Sequence, residues 1–222
     1  MPAPLRRLCA YRLEAMTPDP AAEDVALAGH QDDEATVRRG LRAADPRVRV
    51  VALGALARLG CLGAEELGTA MADPDPSVRR RAAEEAGRAA TADPSRPSLL
   101  PLLGDPDPTV VEAAAWACGE RQPVAPGTVA ALSEVAVDHE DPLCREAAVA
   151  ALGAIGDDAG LAAILAATGD KPAVRRRAVI ALAPFEGPNV DAALQRALED
   201  RDRQVRQAAE DLLNPGSASP TA

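Results

Sequence analysis

Two histidines, four cysteines and six serines are the residues on which chemistry could turn in this chain of 222 residues. His30 and His139 both fall in segments that read as turns, and His139-Glu140 is the pair that invites a metal reading. A nucleophilic triad needs a hydroxyl or thiol beside a base that a third group orients. Ser77, Ser95, Ser98, Ser133, Ser217 and Ser219 have no such motif around them. Cys9, Cys61, Cys118 and Cys144 form no CxxC pair and no metal-ligand spacing, so they read as reduced, mostly buried thiols. No glycine-rich phosphate loop is present. Gly54, Gly87, Gly119 and Gly153 recur instead at one place in a repeated pattern, where a small residue lets helices approach closely. The residues therefore predict no catalytic group, no cofactor and no metal.

Composition narrows the partners. Lys and Arg total 24 against 34 Asp and Glu, a net charge of -10, which argues against a general nucleic-acid or acidic-membrane binder. Tyr11, Trp116 and Phe185 are the only aromatics, too few for a base-stacking platform. Alanine occurs 51 times, as helices packed through small side chains would use it. Lys171 is the single lysine; that bias, with the Ala, Gly and Pro content, fits a GC-rich bacterial genome. No apolar run approaches the roughly 18 residues of a membrane span. Met1 to Arg7 leads into no long apolar region, so no secretory signal is supported, and a soluble, cytoplasmic protein is the expectation.

Stepping along the chain, one pattern returns six times. Asp45-Pro46-Arg47-Val48-Arg49 is followed by Asp75-Pro76-Ser77-Val78-Arg79, Asp107-Pro108-Thr109-Val110-Val111, Asp141-Pro142-Leu143-Cys144-Arg145, Lys171-Pro172-Ala173-Val174-Arg175 and Asp202-Arg203-Gln204-Val205-Arg206. The apolar anchors at 48, 78, 110, 144, 174 and 205 lie 30, 32, 34, 30 and 31 residues apart. Asp caps a helix by accepting from its orphaned amides. Pro fits the first helical position, where a missing N–H costs nothing. Apolar residues then follow at helical spacing, as in Val48, Ala52, Ala55, Leu59 and in Val174, Ala178, Ala181, Phe185. Each Asp-Pro should open a helix of about four turns.

A second amphipathic segment precedes each of these helices: 34–43, 64–72, 98–103, 128–137, 159–167 and 190–198. One such hairpin cannot bury its apolar face alone, so the copies must stack. The expected fold is all-α: a right-handed α-α superhelix of about six hairpins over residues 33–213. Residues 1–32, with helices at 5–16 and 21–28, read as a degenerate N-terminal cap. Residues 214–222 have nothing to bury and read as a disordered tail.

These units resemble HEAT repeats. In their length and their Asp-Pro-x-Val-Arg…Ala-Leu-Gly wording they are similar to the HEAT-like repeats of phycobilin lyases. The resemblance implies a ladder of Asp–Arg contacts between adjacent units, with Arg49, Arg79, Arg145, Arg175 and Arg206 at the arginine position. Val111 departs from it, and Lys171 replaces the capping Asp, with Asp170 one residue earlier. A bilin- or cofactor-handling lyase is implied by the family name alone. HEAT-like deoxyhypusine hydroxylases bind iron through His-Glu pairs directly after the Val-Arg; here those places hold Arg80-Arg81, Glu112-Ala113, Glu146-Ala147 and Arg176-Arg177, without histidine.

In HEAT-like arrays the second helices usually line the concave side. At 100° per residue, positions two and six after each anchor point away from the packed stripe. They hold Val50, Arg80, Glu112, Glu146, Arg176 and Gln207, then Gly54, Glu84, Trp116, Ala150, Ile180 and Asp211. Two arginines against four acids there count against nucleic-acid binding, a third alternative. The favoured function is a non-enzymatic scaffold that holds a protein or peptide on this face. The residues expected to contact it are Arg80, Glu84, Glu112, Trp116, Glu146, Arg176 and Ile180, with Trp116 as interface anchor or inter-repeat filler.

Overall fold

A computed structural model of the chain describes residues 19–88 and 96–214. Among them are twelve α-helices, two 3-10 turns and no strand. The chain divides into two compact units, Met1–Leu62 and Gly63–Ala222. In the first, α1 (Ala22–His30), α2 (Glu34–Gly40) and α3 (Pro46–Leu59) enclose Val25, Val37, Val48, Ala52 and Leu56. The helix expected at 21–28 is α1, and it shares this core with the first repeat; the one expected at 5–16 and the tail from 215 lie outside the described residues.

The second unit holds α4 (Ala64–Met71), α5 (Pro76–Arg88), α6 (Pro108–Glu120), α7 (Thr128–Asp138), α8 (Pro142–Ile155), α9 (Leu161–Ala167), α10 (Pro172–Ala181), α11 (Pro188–Leu198) and α12 (Arg203–Leu213). Helices α5, α6, α8, α10 and α12 pack in succession, each against the next. Among the described residues six hairpins are present, as the repeat predicts: α2–α3 in the first unit and five in the second, one of them reduced. The helix expected at 98–103 is only a 3-10 turn, Leu100–Gly104, because Pro101 lies inside it and cannot donate a helical hydrogen bond. Helix α10 stops at Ala181 with Pro184 just beyond, yet Phe185 is still buried.

The caps follow from the Asp-Pro wording. Asp45, Asp75, Asp107, Asp141 and Asp202 each accept a hydrogen bond from the backbone N–H two residues on, at 2.8–2.9 Å. Lys171 gives α10 no side-chain cap.

Within the second unit a second carboxylate, two residues before the cap, ties neighbouring hairpins together. Asp105 Oδ1 accepts from the Asp107 N–H at 2.9 Å and from Arg79 Nη2 at 2.8 Å, while Oδ2 takes Arg79 Nε at 2.7 Å. Asp200 repeats this with Asp202 and Arg175, and Asp170, one residue before its helix's cap position, holds Arg145 at 2.6 and 2.8 Å. The free corner of each guanidinium donates to carbonyls of its own turn: Arg79 to Asp73 and Pro74, Arg145 to His139 and Glu140, Arg175 to Asp170. Thus the Asp170 rung forms despite the Lys171 change. Between α6 and α8 the matching positions are Val111, fully buried, and His139, whose Nδ1 accepts from the Asp141 N–H at 3.0 Å.

Glycine at the ninth position after the anchor sets how closely these helices approach. A Cβ on Gly153 would lie 2.6 Å from Ala181 Cβ and 2.7 Å from its Cα. On Gly119 it would stand 3.0 Å from Ala151 Cα, and on Gly87 2.7 Å from Trp116 Cζ3. The apolar stripes thereby meet nearly backbone to backbone, where dispersion contacts are densest.

Candidate functional site

Helices α5, α6 and α8 carry two adjoining clefts, and Trp116 lines both. The smaller, about 210 Å³, lies between α5 and α6 and is lined by Arg80, Glu84, Arg88, Thr109, Glu112, Ala113 and Trp116. The larger, about 350 Å³, runs between α6 and α8. Its floor and walls are Leu143, Ala147, Ala150, Ala151, Ala154 and Trp116, and its charged groups are Glu112, Glu120, Glu146 and Arg177.

Trp116 packs between neighbouring hairpins, one of the two roles the sequence offered it. Its ring lies against Gly87, which has no side chain to displace it, and under Arg88, whose Cζ is 5.6 Å from the ring centroid. It also remains 39 % exposed, one of the few large apolar side chains to do so. The aromatic surface is fixed from the α5 side and open towards α8.

Of the residues singled out from the sequence, Arg80, Glu84, Glu112 and Trp116 come together in the smaller cleft, and Glu112, Trp116 and Glu146 in the larger. Arg176 and Ile180 stand on α10 and line neither cleft, although Ile180 is 42 % exposed. Arg177 reaches the cleft instead, with Nη2 3.4 Å from Glu146 Oε1. Gly54, placed with the outward positions by angle, is buried, since a residue without a side chain has nothing to direct outward. Glu120, Leu143 and Arg177 were missed: Arg177 is one residue beyond a chosen position, whereas Glu120 stands one helical turn after Trp116 and Leu143 one turn before Glu146, on the same helix faces.

The arginine runs are largely absorbed internally. In Arg79–Arg81, Arg79 forms a rung, Arg80 pairs with Glu84 at 3.1 Å and Arg81 with buried Glu85 at 2.6 Å. In Arg175–Arg177, Arg175 forms a rung and Arg177 pairs with Glu146. Among the described residues Glu112 and Glu120 have no ion-pair partner, so the larger cleft holds three carboxylates against one guanidinium.

Thiol chemistry is disfavoured here. Burial pushes both Cys118 and Cys144 up to about 11, and the Cys144 thiol donates to the Pro108 carbonyl at 3.2 Å. Near neutral pH both are overwhelmingly protonated, and the thiolate is the reactive form. Maleimide or Ellman's reagent at pH 7 is expected to leave Cys118 and Cys144 unmodified in the folded chain and to label them after unfolding. Peptide mapping would read this; rapid native labelling at either site would contradict it. Among the described residues no three His, Cys, Asp or Glu side chains gather as a metal-holding group, and no helix is long and apolar enough to cross a membrane.

The profile of the family described as HEAT repeats matches residues 64–152 and 129–214. Among solved structures, a designed armadillo repeat protein in complex with the peptide (KR)4 is 16 % identical; the match covers 96 % of this chain and 94 % of that one at a TM-score of 0.48. An engineered protein is 18 % identical over 88 % of this chain and 84 % of its own, at a TM-score of 0.43. No curated protein matches the chain. The two profile matches run from the first residues of α4 to the end of α12, the span of the stacked hairpins of the second unit. The chain belongs to the HEAT-repeat family.

Proposed function

We propose that this protein is a non-enzymatic interaction scaffold whose Asp-Pro helices hold a segment of a protein partner at the clefts around Trp116. The observation that carries the reading is the half-open indole, which lines two clefts beside exposed carboxylates. Trp116 is braced by Gly87 and Arg88, so its surface is pre-organised before any partner arrives. Buried aromatic anchors of this kind contribute disproportionately to interfaces. The close packing of α5, α6 and α8 through Gly87 and Gly119 supplies the backing that such a surface needs.

The test is capture of partners from the host by the immobilised chain, compared with Trp116→Ala and with Trp116→Ala combined with Arg176→Glu. Loss of Trp116 should reduce capture by at least about tenfold, the scale of an interface hot spot. Undiminished capture by both variants, with circular dichroism showing them folded, would remove this face from the function. A coloured protein as purified, or a gel shift with nucleic acid at low salt, would speak for the lyase-like or nucleic-acid alternatives.

A further inference from the structure

We infer that the larger cleft takes a cationic side chain, an arginine or lysine presented by an extended segment of the partner. The inference rests on the scaffold reading and adds the chemistry of what is held. Three features of the cleft point the same way.

Size comes first. At about 350 Å³ the cleft is at the lower end of ligand pockets, which run from about 300 to 1,000 Å³. That space suits one long side chain better than a cofactor.

Its lining is divided by polarity in the manner of such a side chain. Trp116, Ala147, Ala150, Ala151, Ala154 and Leu143 offer apolar contact for a methylene stem. Glu112, Glu120 and Glu146 supply carboxylates for the charged head, and only Glu146 is engaged by a cation, Arg177. An acidic guest would meet like charge from all three, and a purely apolar one would leave Glu112 and Glu120 unused. The net charge of -10 would draw a basic segment towards the protein over longer range.

Trp116 is the third feature. Arg88 already lies over its ring, which shows that the indole accepts a guanidinium in this setting. Arg88 lines the smaller cleft and not the larger. The part of the indole that faces α8 is free for a second cation to stack.

Because Trp116 is the chain's single tryptophan, its fluorescence reports occupancy directly. The experiment titrates the full chain with acetylated, amidated nonapeptides identical except for a central Arg, Lys, norleucine or Glu. The Arg and Lys peptides are expected to shift the emission saturably and to bind at least about tenfold more tightly than the norleucine peptide, with no saturation by the Glu peptide. Their affinity should fall as salt is raised. Glu112→Gln with Glu120→Gln alters two exposed side chains without ion pairs, and should lower Arg-peptide affinity by about tenfold while leaving the norleucine peptide unaffected. Glu112→Lys with Glu120→Lys should turn the preference towards the Glu peptide.

Equal binding of the Arg and norleucine peptides, or tighter binding of the Glu peptide by the unaltered chain, would overturn the assignment of a cation. So would the absence of any saturable shift up to millimolar peptide. In each case the scaffold reading would stand or fall separately, on whether Trp116→Ala still captures host partners.

Discussion

Replacing Gly153 with alanine is expected to lower the melting temperature by several degrees, although helix propensity alone would raise it. Alanine in a helix interior is favoured over glycine by about 1 kcal/mol. Against this stands the new Cβ, 2.6 Å from Ala181 Cβ, 2.7 Å from its Cα and 3.1 Å from its carbonyl oxygen. Those are mostly backbone atoms of α10, so no rotamer change can relieve the clash. Overpacking typically costs about 1–3 kcal/mol, and a rigid backbone opponent places this site at the upper end. The net loss, about 2 kcal/mol, corresponds to a fall on the order of 5 °C for a chain of this size. Gly68→Ala is the matched control: its Cβ would find only Pro97 Cβ at 3.9 Å, an ordinary contact, so the same change should stabilise there. Calorimetry of the two variants should give opposite signs. A stabilised Gly153→Ala would show that α8 and α10 are not held at this separation.

Removing the Asp200 carboxylate is expected to be costlier still. Arg175 is only 6 % exposed, and Asp200 takes its Nε at 2.9 Å and its Nη2 at 2.7 Å. Asp200→Ala would leave that guanidinium with the Asp170 carbonyl as its remaining acceptor. Stranding one partner of a buried pair costs about 3–5 kcal/mol. Arg47→Ala removes an exposed pair with Asp45, which should leave the melting temperature unchanged. Equal effects from the two would mean that the rungs contribute no more than surface charges do.

Acid should act on the same contacts. The neighbouring guanidiniums Arg79, Arg145 and Arg175 hold the carboxyls of Asp105, Asp170 and Asp200 below the usual carboxylate range. A depressed folded-state pKa means the unfolded chain binds protons first. The stabilisation is complete above the unfolded value, about 3.9, and is lost as pH falls through the folded values. Thermal stability should therefore vary little from these groups between pH 7 and 5 and decline steeply below about pH 4. In Asp200→Ala that acid limb should be shallower.

The hairpins were legible because Asp, Pro and an apolar anchor each have a local physical meaning that survives without the fold. The arginine of each rung was legible only through the resemblance to HEAT-like repeats, which implied a ladder at that position. Its partner was harder to see. In 73–76 and 105–108 the wording is Asp-Pro-Asp-Pro, and the first Asp, which makes the rung in Asp105, resembles a spare cap when read one-dimensionally. Once that role is known, Asp170 and Asp200 fit it, and the Lys171 change becomes harmless. In the candidate site, angular reckoning found Trp116 and Glu112 but chose Arg176 over Arg177. An angle per residue describes where Cβ points, whereas a guanidinium lies several bonds further on. The reduced hairpin at 98–103 was missed because its apolar spacing outweighed Pro101.

The clefts also lie unevenly with respect to the rungs. Arg79–Asp105, Arg145–Asp170 and Arg175–Asp200 join α5 to the turn before α6, α8 to the turn before α10, and α10 to the turn before α12. At the α6–α8 boundary, where Val111 and His139 take those places, no ion pair crosses among the described residues, and the larger cleft opens there. Prising this boundary wider to admit a guest sacrifices greasy contact and a thiol hydrogen bond, but no electrostatic clasp. The receptacle thus sits at the one of these four joints that lacks a charged clasp, and vinegar-strength acidity, which unbuckles the other three, has no buckle there to undo.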